Sequence, residues 1–118
     1  MAWLVEFYED VGGGRAVEEF LEALPAGHVG KVLQVLQMLE ERGPHLPFPY
    51  SSQIEGRLHE LRVHYGRTLY RILCDGDTQR TFVLPHAFEK RTQAAPAEDV
   101  ALARKRMSRD QEIKGGKK

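Results

Sequence analysis

The chain has almost no cysteine: Cys74 is the only one in 118 residues. A single thiol excludes an internal disulfide and any multi-cysteine metal site, and it suits a reducing cytosol. Long apolar runs are missing too, and none approaches the roughly 18 residues of a membrane span. The opening MAWLVEFYED has no basic stretch and is too short for a signal peptide. Net charge is also absent, since 17 Lys plus Arg balance 17 Asp plus Glu. Taken whole, that neutrality argues against a nucleic-acid partner, which usually wants a basic protein.

The charges are nevertheless segregated. Residues 1–60 hold 10 acidic and 4 basic side chains, a balance of −6, whereas residues 61–118 hold 13 basic and 7 acidic, a balance of +6. Without Lys114, Lys117 and Lys118 of the C-terminal end, the second half is still +3. Such asymmetry hints at one anion-facing side. The length fits one domain at about 100–200 residues per domain. We place that domain at residues 1–110 and read 111–118 as a disordered basic tail.

Hydropathy divides the chain into short elements. Residues 2–8 (AWLVEFY) read as a strand, broken by Asp10 and the Gly12–Gly14 run. Residues 15–24 place Val17, Phe20, Leu21 and Leu24 at helical spacing, and Pro25 ends that helix. A second helix follows Gly27 with Val32, Leu33, Val35, Leu36 and Leu39 as its apolar stripe, stopped by Gly43-Pro44. The two make a helical hairpin packed on something flat. Residues 44–56 read as a loop, because Pro44, Pro47 and Pro49 cannot donate to a ladder.

Three strands then come in quick succession, Leu58–Tyr65, Thr68–Asp75 and Thr81–Ala87, joined by short Gly-containing connections that require antiparallel neighbours. Pro85 in the third suggests an edge or a strand end. Pro96 opens a last helix with Glu98 and Asp99 in its first turn, where acidic residues suit the helix dipole, and Val100 and Met107 share an inward face. The order β-α-α-β-β-β-α, with helices on a mostly antiparallel sheet, is an α+β fold.

Alternation in Leu58–Tyr65 leaves Glu60, Arg62 and His64 on the side away from Leu61 and Val63, which should meet the helical hairpin. Arg71 lies in the adjacent strand. If Arg62 and Arg71 share a face, they form a cationic floor whose guanidinium forks suit phosphate oxygens. The alternative is an ordinary cross-strand ladder in which Glu60 neutralises both arginines. His86 closes the third strand, with Lys90 and Arg91 in the exit loop, where ionisable groups are well placed for function. A histidine can move a proton there, and Lys and Arg can stabilise a pentacoordinate phosphate. By strict parity, however, His86 sides with apolar Phe82 and Leu84, as a buried core histidine would. His45, His59, His64 and His86 lack the spacing of a metal site. Gly12–Gly14 lacks the Lys-Ser/Thr of a phosphate loop.

Six short motifs occur in order: Glu60-Leu61-Arg62, Tyr70-Arg71-Ile72, Val83-Leu84, His86-Ala87-Phe88, Lys90-Arg91-Thr92 and Pro96 followed by Glu98. In this order the set resembles the RelE/ParE toxin superfamily, and within it the phage-derived, HigB-like branch. The resemblance implies the toxin of a type II toxin–antitoxin pair, acting in the cytoplasm as a metal- and cofactor-free messenger-RNA endoribonuclease on the ribosome. Its partners would be a small helix-turn-helix antitoxin, messenger RNA and the ribosome, with no membrane. The implied chemistry is attack by a ribose 2′-hydroxyl on the neighbouring phosphate. Arg62, Arg71, Lys90 and Arg91 would hold the phosphate, and His86 would be the acid or base. Glu60 would be either a base or an aligner of Arg62. The alternative is a non-catalytic binding module, either a gyrase inhibitor of the ParE type or a degenerate phage protein that only binds a partner.

Overall fold

A computed structural model describes residues 2–46, 50–77, 79–90 and 97–115. Its elements are β1 (Leu4–Phe7), α1 (Ala16–Glu22), α2 (Ala26–Arg42), a 3-10 turn (Gly43–His45), β2 (Ser51–Glu55), β3 (Leu58–Tyr65), β4 (Thr68–Gly76), β5 (Thr81–Glu89) and α3 (Ala97–Gly115). The five strands form one sheet in the order β1-β5-β4-β3-β2. β1 runs parallel to β5, and the other pairs are antiparallel. The architecture is the expected α+β fold with one strand more than the sequence suggested. β2 lies in the stretch read as loop. It is an edge strand, and its prolines precede it, so none has to donate to the ladder.

The helical hairpin covers one face of the sheet. Val17 and Leu21 of α1 and Val32, Val35, Leu36 and Leu39 of α2 pack with Leu61, Val63, Tyr70, Ile72, Cys74, Phe82 and Leu84 in the main core. Leu33 does not belong to the stripe and is 51% exposed. One helical step from Val32 turns it about 100° off the buried face. At the end of α2, Gly43 takes φ +58°, and a Cβ there would collide with the Trp3 indole. This glycine therefore lets the first strand and the second helix close on each other. Trp3 in turn lies 4.7 Å, centroid to centroid, from Phe82.

β5 is interrupted by a bulge. Gly76 and Asp75 face Phe82 and Val83, but Leu73 faces His86, so Leu84 and Pro85 together span the single residue Cys74. Pro85 thus marks neither an edge nor a strand end: it sits inside a nine-residue interior strand. A bulge is one of the few places where an interior strand tolerates the missing donor. The extra residue reverses parity. Phe82 and Leu84 point into the hairpin core, as does Ala87, while His86 and Phe88 point to the other face.

α3 crosses that other face. Ala103 is fully buried against Leu58 and Leu73, with Val100, Ile54 and Phe88 around them. Met107 closes on Val83 and Tyr8. The helix runs on to Gly115, past Gln111 where the sequence suggested a frayed tail. Lys114 holds it there, lying 2.7 Å from Glu6 on β1 and 3.0 Å from Asp110 one turn earlier. Residues 116–118 of the expected tail lie outside the described residues.

Candidate functional site

The part of the sheet beyond the first turn of α3 carries the residues singled out from sequence. Arg62 on β3 and Arg71 on β4 are direct cross-strand partners. Partners opposite each other in an antiparallel pair project to the same face. Arg71 is paired on its other side with Phe88 of β5. The neighbouring row runs Glu60, Leu73, His86. Two rows therefore bring Glu60, Arg62, Arg71, Phe88 and His86 onto one patch. His86 reaches it only because of the bulge.

Glu60 is 4% exposed, the most buried charged side chain of the group. Arg62 Nε donates to its Oε1 at 2.9 Å, and Arg71 Nη1 lies 3.2 Å from its Oε2. Both carboxylate oxygens are thus engaged, and the two guanidinium groups are drawn together. The cationic floor and the neutralising ladder considered from sequence are both present, since the ladder holds the floor in place. Both guanidinium groups are partly buried, at 24% and 11% exposure, where charge acts more strongly than in water. Arg71 Nε is buried and has no hydrogen-bond partner.

His86 is held from two directions. Its Nε2 lies 2.6 Å from Oδ1 of Asp99, in the first turn of α3. Its ring stacks on Phe88 at 5.5 Å between centroids and 25° between planes. The bulge beneath is itself fixed, because Arg106 of α3 donates to the Pro85 carbonyl at 2.8 Å. Lys90 follows β5, and its backbone N–H donates to Leu69 of β4 at 2.8 Å. Alternation from His86 and Phe88 sends Lys90 to the same side of the sheet. Arg91, the remaining predicted residue, lies outside the described residues. Asp99 was missed as a site residue from sequence, where it was explained by the helix dipole alone. Its position three residues after a helix-opening proline was the available signal. Among the described residues, no group of three or more His, Cys, Asp or Glu side chains converges as a metal-ligand set.

The model of the phage-derived Gp49-like proteins matches residues 19–108, from within α1 to within α3. The chain belongs to this family. The crystal structure of the archaeal RelE–RelB complex from Pyrococcus horikoshii OT3 contains a chain similar to this Gp49-like protein. The TM-score is 0.51 at 19% identity, over 80% of this chain and all of that one. The likeness assigns the Gp49-like chain a RelE fold. No curated protein sequence matches it. Among the described residues of this Gp49-like protein, no helix is long and apolar enough to cross a membrane.

Proposed function

We propose that this protein is the toxin of a type II toxin–antitoxin pair and a HigB-like endoribonuclease that cleaves messenger RNA on the ribosome in the cytoplasm. Membership of the Gp49-like family and the RelE fold support the toxin role. The solved RelE chain is in complex with RelB, which supports a protein antitoxin as partner here too, and we expect a small helix-turn-helix protein. The observation that carries the nuclease reading is the pairing of Arg62 with Arg71 on the patch that also holds His86.

The chemistry follows from those groups. Arg62 and Arg71 grip the non-bridging oxygens of the scissile phosphate, assisted by Lys90 and Arg91, and oppose the charge that builds up at phosphorus. His86 takes the proton of the 2′-hydroxyl. The 2′-oxygen forms a bond to phosphorus as the bond to the 5′-oxygen breaks, and the leaving oxygen takes a proton from solvent. The products are a 2′,3′-cyclic phosphate and a 5′-hydroxyl. Glu60, buried with both oxygens engaged, aligns the arginines rather than serving as the base. No resident metal or cofactor takes part in these steps.

Programmed ribosomes incubated with the purified protein test this reading. Transcripts should be cut to cyclic-phosphate ends, and His86→Ala or Arg71→Ala should lower the rate by about a hundredfold or more. Undiminished cleavage by both variants would show that the site is elsewhere. Gyrase inhibition with intact transcripts would instead favour the ParE-type alternative.

A further inference from the structure

We propose that Asp99 is a positioning residue for His86: it fixes which ring nitrogen carries the hydrogen and leaves Nδ1 as the atom that moves the proton. The inference rests on the nuclease reading of the site and extends it to an atom and to a second residue.

Three observations carry it. First, the Asp99 Oδ1 to His86 Nε2 distance of 2.6 Å is that of a short, charge-assisted hydrogen bond. A carboxylate oxygen only accepts, so the hydrogen of the neutral ring resides on Nε2. Nδ1 then keeps its lone pair and is the only ring nitrogen able to accept a proton. Second, the ring cannot readily turn to exchange its nitrogens. Phe88 stacks on it, and its side chain is only 16% exposed. Third, the pair joins two elements that other contacts already hold. β5 is pinned at the bulge by Arg106, and α3 is anchored on the sheet by Ala103 and Met107. Nothing about the helix itself calls for Asp99 to reach the histidine. The carboxylate is a third exposed and needs no partner to be solvated.

An imidazole oriented by a carboxylate on its far nitrogen is a recurrent arrangement for a working base. In the proposed step, the 2′-hydroxyl proton passes to Nδ1, and the ring becomes an imidazolium that donates from both nitrogens. Asp99 continues to accept from Nε2 throughout. It does not touch the substrate and does not itself take the proton.

The test has a spectroscopic arm and a kinetic arm. In the free protein, ring-nitrogen NMR should report His86 as the Nε2–H tautomer. Asp99→Asn should shift the population towards Nδ1–H, because the amide can donate to Nε2. With ribosomes and messenger RNA, Asp99→Asn should lower kcat by roughly a hundredfold with KM changed less than about threefold. Asp99→Glu, which restores a carboxylate, should recover part of the loss. The Asp99→Asn, His86→Ala double variant should be no slower than His86→Ala alone. A folded Asp99→Asn protein with kcat within threefold of the parent would overturn the inference, as would an Nδ1–H tautomer in the parent. Failure of the nuclease reading is seen separately, in a parent protein that leaves the transcripts intact, whereas full activity of His86→Ala would overturn the kinetic role of Asp99.

Discussion

Arg62 and Arg71 stand directly opposite each other on β3 and β4, a pair of like charges on one face of the sheet. Like charges facing each other across strands destabilise a sheet. Glu60 reverses that penalty by reaching both, at 2.9 Å and 3.2 Å. The side-chain geometry of the patch and its stability thus depend on one carboxylate.

Replacing that carboxylate should therefore unsettle the fold. Glu60→Ala removes the carboxylate that two partly buried guanidinium groups share and should cost about 3 kcal/mol. Glu60→Gln, which keeps the shape and one acceptor, should cost less. Urea denaturation followed by circular dichroism measures both, and an unchanged midpoint in Glu60→Ala would show that the pairs contribute nothing.

The same two arginines should set the salt dependence of RNA binding. Each phosphate neutralised on a single strand contributes about −0.7 to the slope of log affinity against log salt concentration. Arg62→Ala and Arg71→Ala should each flatten the slope by about that amount, and the double variant by about twice as much. His86→Ala should leave the slope near that of the parent. Fluorescence anisotropy on a short RNA across a salt series supplies the numbers.

A pH effect on stability is expected at Asp75, on the far side of the α3 crossing. Burial pushes its carboxyl above the usual carboxylate range. Arg57, at 2.9 Å, opposes the shift, and Asp77 and Asp110 add to it. Because the folded value is raised, the folded chain binds a proton that the unfolded chain has already lost in the interval above the ordinary value of 3.8. Stability attributable to this group hence rises as pH falls through that interval and is lost as pH climbs out of it. Asp75→Asn should remove that slope, so urea midpoints of parent and variant between about pH 3.5 and 7 should converge towards the acid end. Parallel profiles would show that Asp75 titrates alike in both states.

Much of this architecture was legible in the residues. The meander was plain because alternation and short turns coincide from Leu58 onward, and the observed registers begin at the expected positions. The hairpin stripe was visible because helical spacing separates Val32, Val35, Leu36 and Leu39 from the exposed Gln34 and Gln37. β2 was hidden by composition: Ser51, Ser52 and Gln53 are polar, and an edge strand asks little of its outward side. Its signal was the Gly56-Arg57 pair just before Leu58, a two-residue hairpin turn with Gly56 at φ +52°. Strict parity set His86 on the core side, against its reading as a site residue, because alternation assumes an unbroken strand. Pro85, read as a sign of a strand end, was in fact the sign of the bulge. Asp99 was hidden for a different reason. An acidic residue in a first turn already has a local explanation, and only the tertiary crossing of α3 over β5 supplies a second.

The parallel pairing of β1 with β5 has a consequence for the order in which the molecule can be made. Leu4 finds its ladder partner only in Thr81, and Glu6 meets Lys114 near the end of the last helix. Closing so long a loop is slow and requires nearly the whole chain. During synthesis, the first strand waits without a ladder partner while the hairpin and meander emerge. His86 then acquires Asp99 only after the start of α3 has been released. On the proposed function, the reactive face of a nascent copy therefore stays incomplete until the first turn of α3 has emerged.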